Sequence, residues 1–215
     1  KIQLDWIQVE KKPYATSFVD GTRSPESLTI PTAGVLNPQE GTIECWMYVD
    51  NNTQISGVYR YVFATGEATN RNCMYFRRGG GGDWNLDIYD ANGSRSYLGS
   101  SLTLSIGWHY LAIRWQGSHA AVFVDGLLYQ STNSRVIPTN FGSLLYIGSL
   151  LNGTSQYGTL IDDLRISSIA RSDAEILANY QSGKPVGFDS YTTYYEPFDG
   201  LYDWQAVGVV FENPH

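Results

Sequence analysis

Residues 107–129, GWHYLAIRWQGSHAAVFVDGLLY, decide the fold of this chain. Trp108–Trp115 and Ala120–Asp125 are runs of aromatic and β-branched residues, and Gln116-Gly117-Ser118-His119 separates them. Short runs of this composition bounded by turn residues read as strands. Asp125-Gly126 then marks a hairpin, because both central residues of a type I′ turn need positive φ. The stretch therefore predicts short strands joined by tight turns.

The same signature repeats on either side. Gly41-TIECWMYV-Asp50, Val58-YRYVFAT-Gly66, Cys73-MYFRR, Trp84-NLDIY-Asp90, Leu144-LYI-Gly148 and Gly158-TLIDDLR-Ile166 all read as strands. Asn92-Gly93 and Asn152-Gly153 are further hairpin signals. Turns fall about every 8–12 residues, the spacing of a sandwich or barrel. Against this background stands one helix. Ser172-Asp173-Ala174-Glu175 is a capping box, Ile176, Leu177 and Tyr180 give an apolar stripe, and Gly183 and Pro185 stop it. Many strands and one helix predict an all-β domain with a helical appendage.

Composition narrows the function classes. Lys and Arg number 14 against 21 Asp and Glu, so the formal charge is −7. No block of basic residues offers a nucleic-acid footprint. Aromatic residues make up 14% of the chain, with 16 Tyr, which excludes disorder. No apolar run approaches the ~18–20 residues of a membrane span. Charged residues are 16%, against about 25% in an average soluble domain, so the surface is built largely of neutral polar groups and Tyr. Cys45 and Cys73 are too few for a disulfide framework and match no zinc pattern. They read as two buried thiols, with a Cys45–Cys73 bridge as the alternative in an oxidising space.

The order GTIECWMYV, GWHYLAIRW, AAVFVDGLLY, LYIGS and GTLIDDLRISSIARSDAEI resembles the LamG-like domain of the concanavalin A-like lectin/glucanase superfamily, and the segment from Thr16 to Pro31 resembles that family's first strand. The resemblance implies an antiparallel two-sheet jelly-roll sandwich with one short C-terminal helix over residues 14–184. Residues 1–13 then read as the tail of an upstream module or a linker, and 185–215 as a linker or the start of a further module. Lys1 and Asn213-Pro214-His215 read as the ends of a piece of a longer protein. KPYATSFVDGTR and YTTYYEPFDG are similar in style to phage and prophage tail proteins and to secreted bacterial surface proteins. That implies an extracellular, virion or cell-surface setting, with other chains of a tail or surface assembly as partners. Within the sandwich, Leu160, Leu164 and Ile166 are expected on one strand face and Thr159, Asp163 and Arg165 on the other. Trp46, Trp108 and Trp115 are expected in or at the edge of the core.

Catalytic chemistry finds no foothold. Members of the superfamily that cleave polysaccharides use two carboxylates on one strand face. Glu40 and Glu44, Asp87 and Asp90, and Asp162 and Asp163 are not spaced to provide such a pair. His109 reads as structural, no GxSxG elbow is present, and Gly79-Gly80-Gly81-Gly82 reads as a hairpin tip rather than a phosphate loop. The expectation is a chain that is not an enzyme. No cofactor is required, although many family members hold a structural calcium ion. Asp162, expected on the core side, and Asp20 are its candidate ligands, with hydrogen bonding of Asp162 as the alternative.

A ligand surface is the remaining reading. Sugars are bound by aromatic faces with Asn, Asp and Arg beside them. Tyr59, Tyr61, Tyr75, Trp84, Tyr89 and Tyr97 are interleaved with Arg60, Arg77, Arg78, Asn85, Asp87 and Arg95. Tyr59, Tyr61, Arg77, Trp84, Asp87, Tyr89 and Tyr97 are the candidate carbohydrate-binding residues, with Trp84 as the exposed platform and a glycan or cell-surface polysaccharide as the ligand. The alternative is a structural spacer or oligomerisation module of a fibre.

Overall fold

The computed structural model describes residues 28–196, apart from 67, 69 and 184–186 and the side chain of residue 152. The strands are β1 (Leu28–Pro31), β2 (Glu40–Val49), β3 (Arg60–Thr65), β4 (Cys73–Arg78), β5 (Trp84–Tyr89), β6 (Arg95–Leu102), β7 (Gly107–Gln116), β8 (His119–Val124), β9 (Leu127–Thr132), β10 (Leu144–Ile147), β11 (Ile161–Ser167) and β12 (Thr192–Glu196). Helix α1 (Asp173–Ser182) lies between β11 and β12. All pairings between these strands are antiparallel. They make two six-stranded sheets, β1-β10-β3-β4-β5-β6 and β12-β11-β2-β7-β8-β9. This is the all-β sandwich with one short C-terminal helix that the sequence predicts.

Strand alternation builds the core. Ile43, Cys45, Met47 and Val49 of β2 and Leu111, Ile113 and Trp115 of β7 point inward from the second sheet. Met74 and Phe76 of β4 and Trp84, Leu86 and Ile88 of β5 meet them from the first. Each such side chain taken out of water contributes about 1.5–3 kcal/mol. Gly41 is glycine because a Cβ there would lie 2.4 Å from Cζ2 of Trp115. Cys45 and Cys73 are both buried and free. They point away from each other's layer, Cys45 into the core and Cys73 to the outer face of the first sheet.

Helix α1 closes the outer face of the second sheet. Ser172 accepts the Glu175 N–H at 3.3 Å, and the Glu175 carboxylate accepts the Ser172 N–H at 2.7 Å, which completes the capping box. Gly183, with φ 57°, ends the helix in the left-handed conformation. Ile176 buries itself against Tyr110, Ala112, Ala121 and Phe123, and Trp46 and Tyr180 pack beside it. Beneath the helix, the fully buried Glu44 carboxylate accepts from Arg165, Tyr110 and Asn179. The outer face of the first sheet carries no α-helix among the described residues; the 3-10 turn Leu151–Gly153 lies at one side of it.

Several expectations are corrected. Thr192–Glu196, read as linker or a further module, pairs with β11 as an edge strand of the second sheet. Asn152-Gly153 lies in a 3-10 turn, not a hairpin. Asn92-Gly93 does close β5 to β6, but through a longer turn in which Gly93 alone of the pair has positive φ. Trp115 is in the core and Trp46 is half-buried, whereas Trp108 is exposed and meets Tyr48 edge-on at 5.5 Å. In β11 the alternation breaks. Asp162 opposes Trp46 while Arg165 opposes Glu44, so β11 carries an extra residue, with Asp163 at φ 49°. This bulge puts Ile161 toward the core, leaves Leu160 exposed, and sends Asp162 to the outer side with Trp46.

Candidate functional site

The outer face of β3 to β6 gathers most of the residues singled out from the sequence. Register places Ala64, Tyr75, Asp87 and Tyr97 in one row across the strands. Tyr61, Arg77 and Asn85 make the row on one side, and Cys73, Tyr89 and Arg95 the row on the other. Asp87 sits in the middle with an arginine on each diagonal. Neighbours at that separation remain within reach of long side chains.

Asp87 is fully buried, and an unpaired carboxylate there would be costly. Arg77 donates to its Oδ2 from Nε at 3.1 Å, with Nη2 at 3.0 Å. Arg95 donates to Oδ1 from Nε. One carboxylate thus anchors two guanidinium groups. Each lies over tyrosine rings: Arg77 is 4.7 Å from the Tyr59 centroid and 5.4 Å from Tyr75, and Arg95 is 4.4 Å from Tyr97. Burial alone would lower both guanidinium pKa values, but Asp87 together with the neighbouring tyrosines offsets it and holds them above the ordinary arginine value. Both groups stay charged. Burial raises the Tyr61 and Tyr75 hydroxyls, which stay protonated.

The site has a graded exposure. Tyr61 and Tyr75 form its buried floor, Tyr89 is half-buried, and Tyr59 and Tyr97 stand 48% and 38% exposed on opposite sides. Leu150 and Leu151 pack against the floor from the β10 side. On the β4–β5 side the tip from Gly79 to Gly82 is held by the Gly79 N–H on the Asp83 carbonyl at 2.8 Å. The Gly57 N–H donates to the Gly80 carbonyl at 2.9 Å and brings the tip beside Tyr59. Asn85 lies under this tip. Its Nδ2 donates to the Asp83 carbonyl at 3.1 Å, and its buried Oδ1 has no partner.

A model of this domain family matches residues 20–177, most of the chain. The chain belongs to the concanavalin A-like lectin/glucanase superfamily. The fold is thus one that lectins and glucanases share. Similar solved structures include the botulinum neurotoxin serotype D binding domain, with TM-score 0.59 and 15% identity over 74% of this chain and 41% of that one. Another is the serotype D ligand binding domain in complex with N-acetylneuraminic acid, at 0.55 and 13% over 73% and 40%. A third is the botulinum neurotoxin DC binding domain in complex with SialylT, at 0.56 and 11% over 74% and 39%. At these identities the likeness is one of fold. The chain spans about two fifths of each of those chains. No curated protein matches.

Trp84 is the expected site residue that this member of the superfamily turns to the core instead of the outer face. It is fully buried, stacked on Phe76 at 6.0 Å and edge-on to Tyr157. Trp84, Leu86 and Ile88 share the core face of β5, so Asn85, Asp87 and Tyr89 necessarily share the outer one. Arg78 likewise leaves the site and donates to the Gln54 and Ile55 carbonyls at 2.8 and 2.7 Å. Leu150 and Leu151 carried no sequence signal, because a loop reaches the face only in three dimensions.

The calcium expectation finds little to build on. Asp162 faces outward and its Oδ1 accepts the Asp163 N–H at 3.0 Å. No group of three or more His, Cys, Asp or Glu side chains suited to a metal ion occurs among the described residues, and Asp20 lies outside them. One constellation was not foreseen: His109 Nδ1 is 2.9 Å from Asp125 Oδ2, and Nε2 is 3.4 Å from Ser105 Oγ. The nearer partner of Nε2 is the Ser105 carbonyl at 3.0 Å, which only accepts. Both ring nitrogens thus face acceptor groups of the fold. Asp125 also accepts the Tyr110 N–H at 2.9 Å, so the group staples the β8–β9 turn to β7.

Proposed function

We propose that this chain is a non-catalytic carbohydrate-binding module and that the outer face of β3 to β6 is its binding site. The observation that carries the reading is the pair of half-exposed rings, Tyr59 and Tyr97, set on either side of an arginine–aspartate–arginine bridge. Sugar rings offer an apolar CH face and several hydroxyls. Such a site meets both, with aromatic faces for the first and fixed donors and acceptors for the second. Asp87 is held by two guanidinium groups and Glu44 is sealed beneath α1, so neither stands ready as an acid or nucleophile. A solved structure of which this chain matches two fifths is a binding domain in complex with N-acetylneuraminic acid, which agrees with this reading. As part of this reading the module serves adhesion outside the cell, on a virion or cell-surface assembly that meets envelope polysaccharide.

A glycan array probed with the whole chain tests the reading. Binding is expected, with several-fold loss in Tyr59→Ala and Tyr97→Ala variants of unchanged melting temperature. A blank array beside a working lectin control refutes it.

A second reading, a spacer or oligomerisation module, is favoured by one observation. Edge strand β9 exposes Leu127, Leu128 and Tyr129 in succession. An exposed apolar edge strand invites pairing with another chain. Sedimentation showing a concentration-dependent dimer that Leu128→Lys abolishes would support it, and a monomer at high concentration would remove it.

A further inference from the structure

We propose that the site on β3 to β6 selects an anionic saccharide, one carrying a carboxylate or a sulfate, whose charged group bridges Arg77 and Arg95. The proposal rests on the carbohydrate-binding reading and names the ligand class. Two guanidinium groups share one carboxylate, so the site holds an uncompensated positive charge in a chain whose formal charge is −7. A neutral sugar can be hydrogen-bonded equally well by uncharged groups. Only an anion offsets the surplus charge.

The donors are available. A guanidinium has five N–H groups in a fixed fork that matches carboxylate and sulfate oxygens. Arg77 spends Nε and Nη2 on Asp87, and Arg95 spends Nε. The Arg95 side chain is 40% exposed, and Tyr97 beneath it restrains its swing. Asp87 is therefore a positioning residue, fixing both guanidinium groups on the outer face of the sheet.

An independent observation points to the rest of the ligand. Asn85 is only 3% exposed, yet its Oδ1 has no hydrogen-bond partner. A buried acceptor left unmade is costly. Asn85 stands opposite Arg77 in the sheet. Gly79 lies beside it: a Cβ there would crowd Asn85 Nδ2 at 3.2 Å and come within 3.6 Å of Arg77 Nη1, so glycine keeps this side of the two side chains uncovered. A sugar hydroxyl donating to Asn85 Oδ1 while the acid group meets the guanidinium groups satisfies both.

The test titrates the whole chain with oligogalacturonate, its methyl ester, sialyllactose, lactose and a sulfated galactan oligosaccharide. At least one acidic probe is expected to bind about tenfold or more tightly than its neutral counterpart, the fold-change of one charge-assisted hydrogen bond. Which acidic probe it is distinguishes carboxylate from sulfate. Added salt weakens that binding. Arg95→Gln and Asn85→Leu each reduce it about tenfold. Arg95→Lys, which keeps the charge and loses the fork, serves if Arg95→Gln does not fold. Equal binding of acidic and neutral probes, or acidic binding indifferent to the Arg95 variants, overturns the anionic proposal and leaves sugar binding standing. No binding to any probe, with the array also blank, overturns both.

Discussion

Replacing Glu44 with Ala is expected to loosen the second sheet and its helix together. The Glu44 carboxylate is completely buried. It accepts from Arg165 Nε at 3.0 Å and Nη2 at 2.6 Å, from Tyr110 Oη at 2.8 Å and from Asn179 Nδ2 at 2.9 Å, with Arg171 Nε at 3.5 Å. Arg165 and Arg171 are each only 3% exposed. The substitution takes from Arg165 the buried carboxylate it meets through two nitrogens and leaves the Tyr110 hydroxyl, whose pKa burial and Glu44 both raise, without its acceptor. Removing one partner of a buried pair costs about 3–5 kcal/mol. For a chain of this size that is a fall in melting temperature of roughly 6–20 °C. Urea unfolding followed by tryptophan fluorescence measures it directly. A cycle with Arg165→Ala adds the decisive number: the double variant should lose less than the sum of the two single variants, because neither charge is then abandoned. Destabilisation below about 1 kcal/mol, or strict additivity, would refute the claim that this carboxylate holds the helix to the sheet.

Three further outcomes follow from other parts of the molecule. Burial pushes the Cys45 thiol up to about 12 and the Cys73 thiol up to about 11, so a thiol reagent near neutral pH should modify neither in the native protein and both in denaturant; rapid native labelling would contradict their burial. Gly99 has φ 98°, and a Cβ there would lie 2.4 Å from the Trp84 carbonyl. Gly99→Ala should therefore destabilise by about 1–3 kcal/mol and, by shifting β6 against β5, weaken glycan binding through Tyr97; an unchanged unfolding midpoint would show that the close approach is relaxed in solution. The Ser172 hydroxyl and N–H hold the Glu175 carboxyl below the ordinary glutamate value. Its contribution is thus present above that value and fades as the pH falls through the lowered one; Glu175→Gln should flatten this part of an acid titration of stability, and an identical acid profile would deny the cap its role.

The sandwich, the helix and the stretch that holds the candidate site residues were legible in the sequence. Alternation has a period set by the strand backbone, so the sequence already divides Trp84 and Leu86 from Asn85 and Asp87 on the two faces of β5. The capping box of α1 is equally local, since every group it uses lies within four residues. The tertiary structure decided what depends on register between strands. Alternation places Trp84 and Asp87 on opposite faces of β5, but only the packing of the second sheet against the first determines that the Trp84 face is the one turned to the core. The bulge in β11, one extra residue at Asp163, turned Asp162 from its expected core side to the outer side, and no pattern in GTLIDDLRI marks that insertion. The diagonal pairing of Arg77 and Arg95 on Asp87 comes from three strands meeting in one register. Composition could supply the tyrosines and arginines. Only the meeting of sheets and strands could set a buried carboxylate between two guanidinium groups, because the energy of that arrangement depends on water being excluded from all sides at once.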